Sequence, residues 1–284
     1  MQFIKNNFVY VLWFLVYFIV ACALFGFHPA GCLLVLVFYA VSITIALSGL
    51  GEAILRLIEG VRPLCTREEI ELLQQIFDEV YSQALEQNPK LNQNIKVYMT
   101  DSMCPNAFAL GRKTIAVTKG ALETFTPDEL KGILAHEFGH ISHGHTKALL
   151  LSVVGNLFFT FLIFISKAFL FIAELISALF TNGGAYIFSL IFVWLTRLSF
   201  DLSIIIFMGL GQIILAINSR SNEYQADSFA CTIGYGEELT SALYLLQKIS
   251  LGQKLTLFER MTLSHPHIAK RIKRLETVEI VQTA

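Results

Sequence analysis

The sequence predicts a mostly α protein with a small β-sheet, in which four membrane-crossing helices carry one water-facing domain assembled from two separate stretches of chain. Three observations predict it. Of 284 residues, 55% are hydrophobic and only 15% are charged, against about 25% charged in soluble domains, and the mean hydropathy is +0.61. The apolar residues gather in long runs at 8–27, 31–50, 149–180 and 185–218, and charge density rises sharply between and after them. Strand-like alternation is confined to short segments near the middle of the chain. A net charge of −1 with no long basic run leaves no footprint for nucleic acid. The five cysteines are scattered and form neither a disulfide framework nor a paired metal motif.

Phe8 to Phe27 is uncharged and long enough to cross about 30 Å of hydrocarbon. Lys5 and the Ala21-Cys22-Ala23 stretch would also suit a cleavable signal peptide, but the apolar core is too long for one and a second run follows from Gly31 to Leu50. Residues 1–50 are therefore read as two spans. Residues 51–148 form the first part of the water-facing domain. Thr66-Arg67-Glu68-Glu69 is a capping box that opens a helix to about Gln87, with Ile70, Leu73, Phe77 and Val80 expected inward. Ile95 to Met99 alternates as a strand, and Asn106 to Leu110 with Thr114 to Thr118 reads as a hairpin around Gly111-Arg112-Lys113. A second capping box, Thr126 with Glu129, and Pro127 at the first helical position open a helix whose apolar residues recur at Leu130, Ile133, Leu134 and Ile141.

Residues 149–218 hold two more apolar runs, Leu149 to Phe180 and Ala185 to Asn218, which carry Lys167, Glu174, Arg197 and Asp201. Arg197 and Asp201 are four apart and suit a mutual pair, or else a polar groove that admits substrate. Residues 219–284 form the second part of the domain, with a helix from about Glu237 to Ser250 and another after Pro266 whose Lys270, Arg271, Lys273 and Arg274 read as a solvated basic face. Lys and Arg concentrate in the two domain segments and are absent from the short loops opposite. That bias puts both termini and the domain in the cytoplasm.

His136-Glu137-Phe138-Gly139-His140 lies on the capped helix. Imidazoles four apart point from one face and can grip one ion, zinc fitting best, while the glutamate beside them can take a proton from a water whose pKa the ion lowers to about 7. That is the chemistry of peptide hydrolysis. His143 lies roughly 10 Å along the axis from His136 at ~1.5 Å per residue, so His143 and His145 are read as helix-end residues or outer supports. The third ligand must come from elsewhere. Glu223 in Ser219-Arg220-Ser221-Asn222-Glu223-Tyr224-Gln225-Ala226-Asp227 would complete a gluzincin-type His, His, Glu set, with Asp227 orienting a ligand imidazole or clamping an arginine; a solvated helix face would show the same two acids. His265, before Pro266, could donate to an oxyanion or simply cap a helix. Asn106, Ala107, Phe108 and Ala109 could be an edge strand on which a substrate backbone adds, or an ordinary buried strand.

Taken together, Pro105-Asn106-Ala107-Phe108-Ala109, His136-Glu137-Phe138-Gly139-His140, Glu223-Tyr224-Gln225-Ala226-Asp227 and His265-Pro266 resemble the HtpX-type membrane metalloproteases, relatives of the eukaryotic CAAX prenyl endopeptidases. The resemblance implies one zinc held by His136, His140 and Glu223, Glu137 as the base, the Asn106 to Ala109 strand as substrate track and His265 as transition-state donor. It also implies a multi-pass enzyme of the bacterial inner membrane that cuts damaged or misfolded membrane proteins under stress, with polypeptides and the lipid bilayer as its partners. The rival readings are a prenyl-protein endopeptidase, a silent zinc-binding scaffold, which predicts lost ligands, and a metal transporter, which would want ligands inside the spans.

Overall fold

The computed structural model describes residues 8–24, 26–91, 93–147, 150, 157–180, 184–250 and 268–283. Helices α1 (Phe8–Leu24) and α2 (Pro29–Leu47) pack side by side through Trp13, Tyr17, Val35 and Tyr39. Among the described residues, Pro29–Leu47 is the helix long and apolar enough by composition to cross a membrane, and Val11–Ala23 is a shorter apolar stretch. Ser48 ends α2 and caps α3 (Gly49–Ile58), its hydroxyl accepting the Leu50 N–H at 3.2 Å.

The first capping box forms as expected, Thr66 and Glu69 satisfying one another's backbone N–H groups. Glu69 also receives Arg62, which bridges on to Asp101 at 2.6 Å, and this pairing holds the Glu69 carboxyl down at about 2. Behind the cap, α4 (Arg67–Glu69), a π turn (Ile70–Gln74) and α5 (Gln75–Gln87) run on end to end. The π turn corrects one expectation. Its extra residue rotates what precedes it off the stripe that Leu73, Phe77 and Val80 occupy, so Ile70 faces solvent, 46% exposed, instead of pointing inward.

Strands β1 (Lys96–Thr100), β2 (Ala107–Leu110) and β3 (Thr114–Thr118) form a sheet in the order β1-β3-β2, with β1 parallel and β2 antiparallel to β3. β3 is buried along its whole length, while β2 lies at an edge. After the short α6 (Lys119–Thr124), the second capping box opens α7 (Pro127–His143). α7 is the axis of the domain. One side packs on α5, where the Tyr81 and Phe138 rings stack 5.3 Å apart, and the others meet β2, α9 (Gly184–Thr232) and α10 (Gly236–Ser250). The shared core includes Phe77, Leu130, Leu134, Phe138, Leu239 and Leu275.

α8 (Leu157–Phe180) and α9 form a helical hairpin, and the charges it carries pair across it. Lys167 reaches Asp201 at 2.8 Å and Arg197 reaches Glu174 at 3.5 Å, which replaces the Arg197–Asp201 pair expected within one helix. Cross-helix pairing satisfies all four charges, whereas the local pair would leave Lys167 and Glu174 alone in apolar surroundings. α9 continues unbroken from the apolar run into the segment bearing Glu223 and Asp227. α11 (Ile268–Thr283) closes the domain against α10 and α9.

Candidate metal centre

His136 and His140, four apart on α7, turn their imidazoles the same way, with their Nε2 atoms 3.1 Å apart. α9 crosses this face closely because Gly139 has no side chain: a Cβ there would lie 2.8 Å from the Ala226 Cα. The crossing carries Glu223 to the pair, Oε1 at 3.2 Å from His140 Nε2 and Oε2 at 3.4 Å from His136 Nε2. These three residues are also the group whose ligand atoms gather within 4.8 Å of one another. Four ligands at the usual zinc distances of ~2.0–2.1 Å stand about 3.3–3.4 Å apart at tetrahedral angles, so the spacing suits a small divalent ion.

The outward nitrogens are engaged too. His136 Nδ1 meets Asp227 Oδ1 at 2.9 Å, and His140 Nδ1 meets His145 Nδ1 at 3.0 Å. Partners of this kind set which ring nitrogen keeps its proton and leave Nε2 of each ring for the centre. Asp227 also meets Arg271, which grips its two oxygens at 2.9 and 2.6 Å while Arg271 Nη1 lies 3.1 Å from Glu223 Oε2. His143 ends α7, its Nδ1 against the Gly139 carbonyl at 2.9 Å.

Arg271 is the residue the sequence reading misplaced. It is 7% exposed and belongs to the centre, not to a solvated face with Lys270, Lys273 and Arg274. A signal was there: Ile268, Arg271, Ile272 and Leu275 fall on one helical stripe, so the arginine sits among the residues that pack inward.

Charge accounting supports the same use. Glu137, Glu223 and Asp227 are buried with Arg271, three carboxylates against one guanidinium, which leaves two negative charges for a dication to balance. Without one, His136 shows the imbalance: burial and Arg271 press its pKa down, but the Asp227 and Glu223 carboxylates outweigh them and raise it to about 9. Asp227 in turn is held below the usual carboxylate range, burial being overcome by His136 and Arg271. Burial with the neighbouring His140 and His143 rings lowers His145 to about 3, which keeps it neutral.

Glu137 lies beside the ligand pair with its Oε2 accepting the Ala109 N–H at 2.8 Å. Backbone groups alternate in direction along an antiparallel strand, so the Ala107 N–H points the same way as that of Ala109, to the free edge of β2. Asn106 sits just ahead of the strand and is tied to Thr118, its N–H to Oγ1 at 2.9 Å and its carbonyl to the Thr118 N–H at 3.0 Å. His265 lies outside the described residues.

Residues 68–279 match the family model for peptidase family M48. The chain is 30% identical over 222 residues to Protease HtpX of Actinobacillus pleuropneumoniae serotype 5b, covering 72% of each chain. It is likewise 30% identical over 226 residues to the Protease HtpX homolog of Neisseria meningitidis serogroup C, covering 75% of this chain and 74% of that one. Its fold is similar to that in the crystal structure of S. mikatae Ste24p, with a TM-score of 0.53 at 22% identity over 92% of this chain and 62% of that one.

Proposed function

Since the chain belongs to peptidase family M48 and is a metalloprotease, we propose that it is a membrane-anchored, zinc-dependent endopeptidase acting on extended segments of polypeptide. The observation that carries the reading is the meeting of two imidazoles and one carboxylate: His136 and His140 Nε2 lie 3.1 Å apart, with Glu223 Oε1 3.2 Å from the His140 nitrogen and Oε2 3.4 Å from that of His136. A zinc ion there would supply Lewis acidity, polarising a carbonyl and bringing the pKa of a water to about 7.

The chain's own residues do the rest. Glu137 takes the proton of the attacking water and hands it to the leaving nitrogen, and its contact with the Ala109 N–H aims the carboxylate along the edge of β2. The free edge of that strand, where Ala107 between Asn106 and Phe108 turns its backbone groups outward and Ala109 keeps its N–H on Glu137, pairs with a substrate backbone added as a further strand. Pairing of this sort grips peptide groups more than side chains, which suits substrates that share no sequence. Asp227, held by Arg271, keeps the His136 ring in place, and His145 does so for His140. His265 is the candidate donor to the oxyanion.

Four spans, at 8–27, 31–50, 149–180 and 185–218, would anchor the enzyme in a bacterial inner membrane with both termini and the domain cytoplasmic. Damaged or misfolded membrane proteins are then the substrates within reach, and the continuity of α9 from its apolar run to Glu223 supports a centre close to the bilayer surface. Metal analysis and peptide cleavage by the detergent-purified protein test the reading. One zinc per chain is expected, and Glu137→Gln should keep the metal while slowing cleavage by about 10²- to 10⁴-fold. Cleavage undiminished by that substitution would refute the mechanism.

A further inference from the structure

Glu52 is a buried carboxylate that the proposed chemistry leaves unused. It sits in the first turn of α3, directly after the apolar α2, and is 6% exposed. Its carboxylate reaches across to the turn joining β2 and β3. Oε1 accepts the Lys113 N–H at 3.0 Å and the Thr114 hydroxyl at 2.7 Å, and Oε2 accepts the Arg112 N–H at 3.3 Å. Gly111 enters that turn at φ +67°, and a Cβ there would lie 2.8 Å from the Glu52 carboxylate, so the backbone wraps the acid as turn amides wrap an anion. The same junction is sealed by Ala46 of α2, Leu55 of α3, Leu110 of β2 and Leu150.

Ala109, whose N–H holds Glu137, lies two residues before Gly111. One short path of contacts thus runs from the end of the apolar helix, through Glu52 and the turn, to the strand edge and the proposed base. We infer that Glu52 is a positioning residue, which sets the free edge of β2 against α7 and couples it to the apolar helix α2. The inference rests on the reading of β2 as the substrate strand. Burying a carboxylate is costly, and here three donors from a single turn compensate it, which makes the placement of that turn depend on this acid.

The test compares full-length wild type, Glu52→Gln, Thr114→Val and Glu59→Gln in detergent on a quenched-fluorescence peptide long enough to span β2. Metal content and backbone amide exchange are measured alongside. The amide of Gln would set an N–H₂ group against N–H donors, so Glu52→Gln should raise KM about tenfold with kcat within about twofold. Metal content should stay unchanged, and exchange should quicken over residues 107–118 but not over 127–143. Thr114→Val, which removes one donor of three, should raise KM about threefold and carries the test if Glu52→Gln does not fold. Glu59, exposed at the far end of α3, should be neutral when changed to Gln. Unchanged KM and exchange, loss of metal, or exchange quickened equally over α7 would each overturn the inference, the last by making Glu52 a general stabiliser. A wild type that holds metal yet cleaves no peptide would instead overturn the endopeptidase reading, and the exchange comparison would then decide the role of Glu52.

Discussion

The raised pKa of His136 makes metal binding and stability run in opposite directions with pH. In the metal-free protein the ring keeps its proton up to about 9, whereas an unfolded histidine loses it near 6.5. A group whose folded pKa is raised contributes stability that is whole below the unfolded value and disappears as pH climbs through the folded one. At about 1.36 kcal/mol per unit, the metal-free protein should therefore lose about 3 kcal/mol of stability between pH 6.5 and 9. Metal must displace that proton, since only neutral imidazole ligates. At pH 7 about 1% of the metal-free sites are ready, so the apparent dissociation constant should tighten about tenfold per pH unit up to 9, and each ion bound should release about one proton. Competition with a chromophoric chelator from pH 6 to 9 reads the first, calorimetry in buffers of different ionisation enthalpy the second, and melting with and without chelator the stability. Affinity that stays flat across this range once the chelator's own protonation is removed would refute the reasoning, as would a metal-free protein that gains stability towards pH 9. Asp227→Asn removes a carboxylate that holds the proton, so it should move the break in the affinity curve to lower pH.

Two further outcomes follow from the same contacts. Arg271→Met leaves the buried Asp227 and Glu223 carboxylates to share the charge of His136, and should cost the metal-free protein about 3 kcal/mol, read as a lowered melting point in chelator that Asp227→Asn in the same chain partly restores. Ala107→Pro removes an N–H that faces away from β3, so at this edge the sheet should survive, while peptide cleavage falls at least about tenfold with metal retained; full activity in that variant would exclude β2 as the substrate strand.

Local rules account for most features whose cause lies within a turn or two of chain. Both capping boxes, the helix carrying His136 and His140, the hairpin around Gly111 and the continuous helix leading to Glu223 follow from spacing and from single residues such as Pro127. Ile70 escaped those rules because a π turn changes the period on which they depend. Charges marked where helices turn polar, but spacing cannot say which partner a side chain meets. Lys167 and Asp201 are 34 positions apart and pair across two helices, and Arg271 is 44 positions from the Asp227 it grips. Burial of Arg271 and Glu52 and the meeting of the Glu223 carboxylate with the His136 and His140 rings arise when helices and strands dock, because the free energy of a buried charge depends on what surrounds it in space and not on its neighbours in the chain.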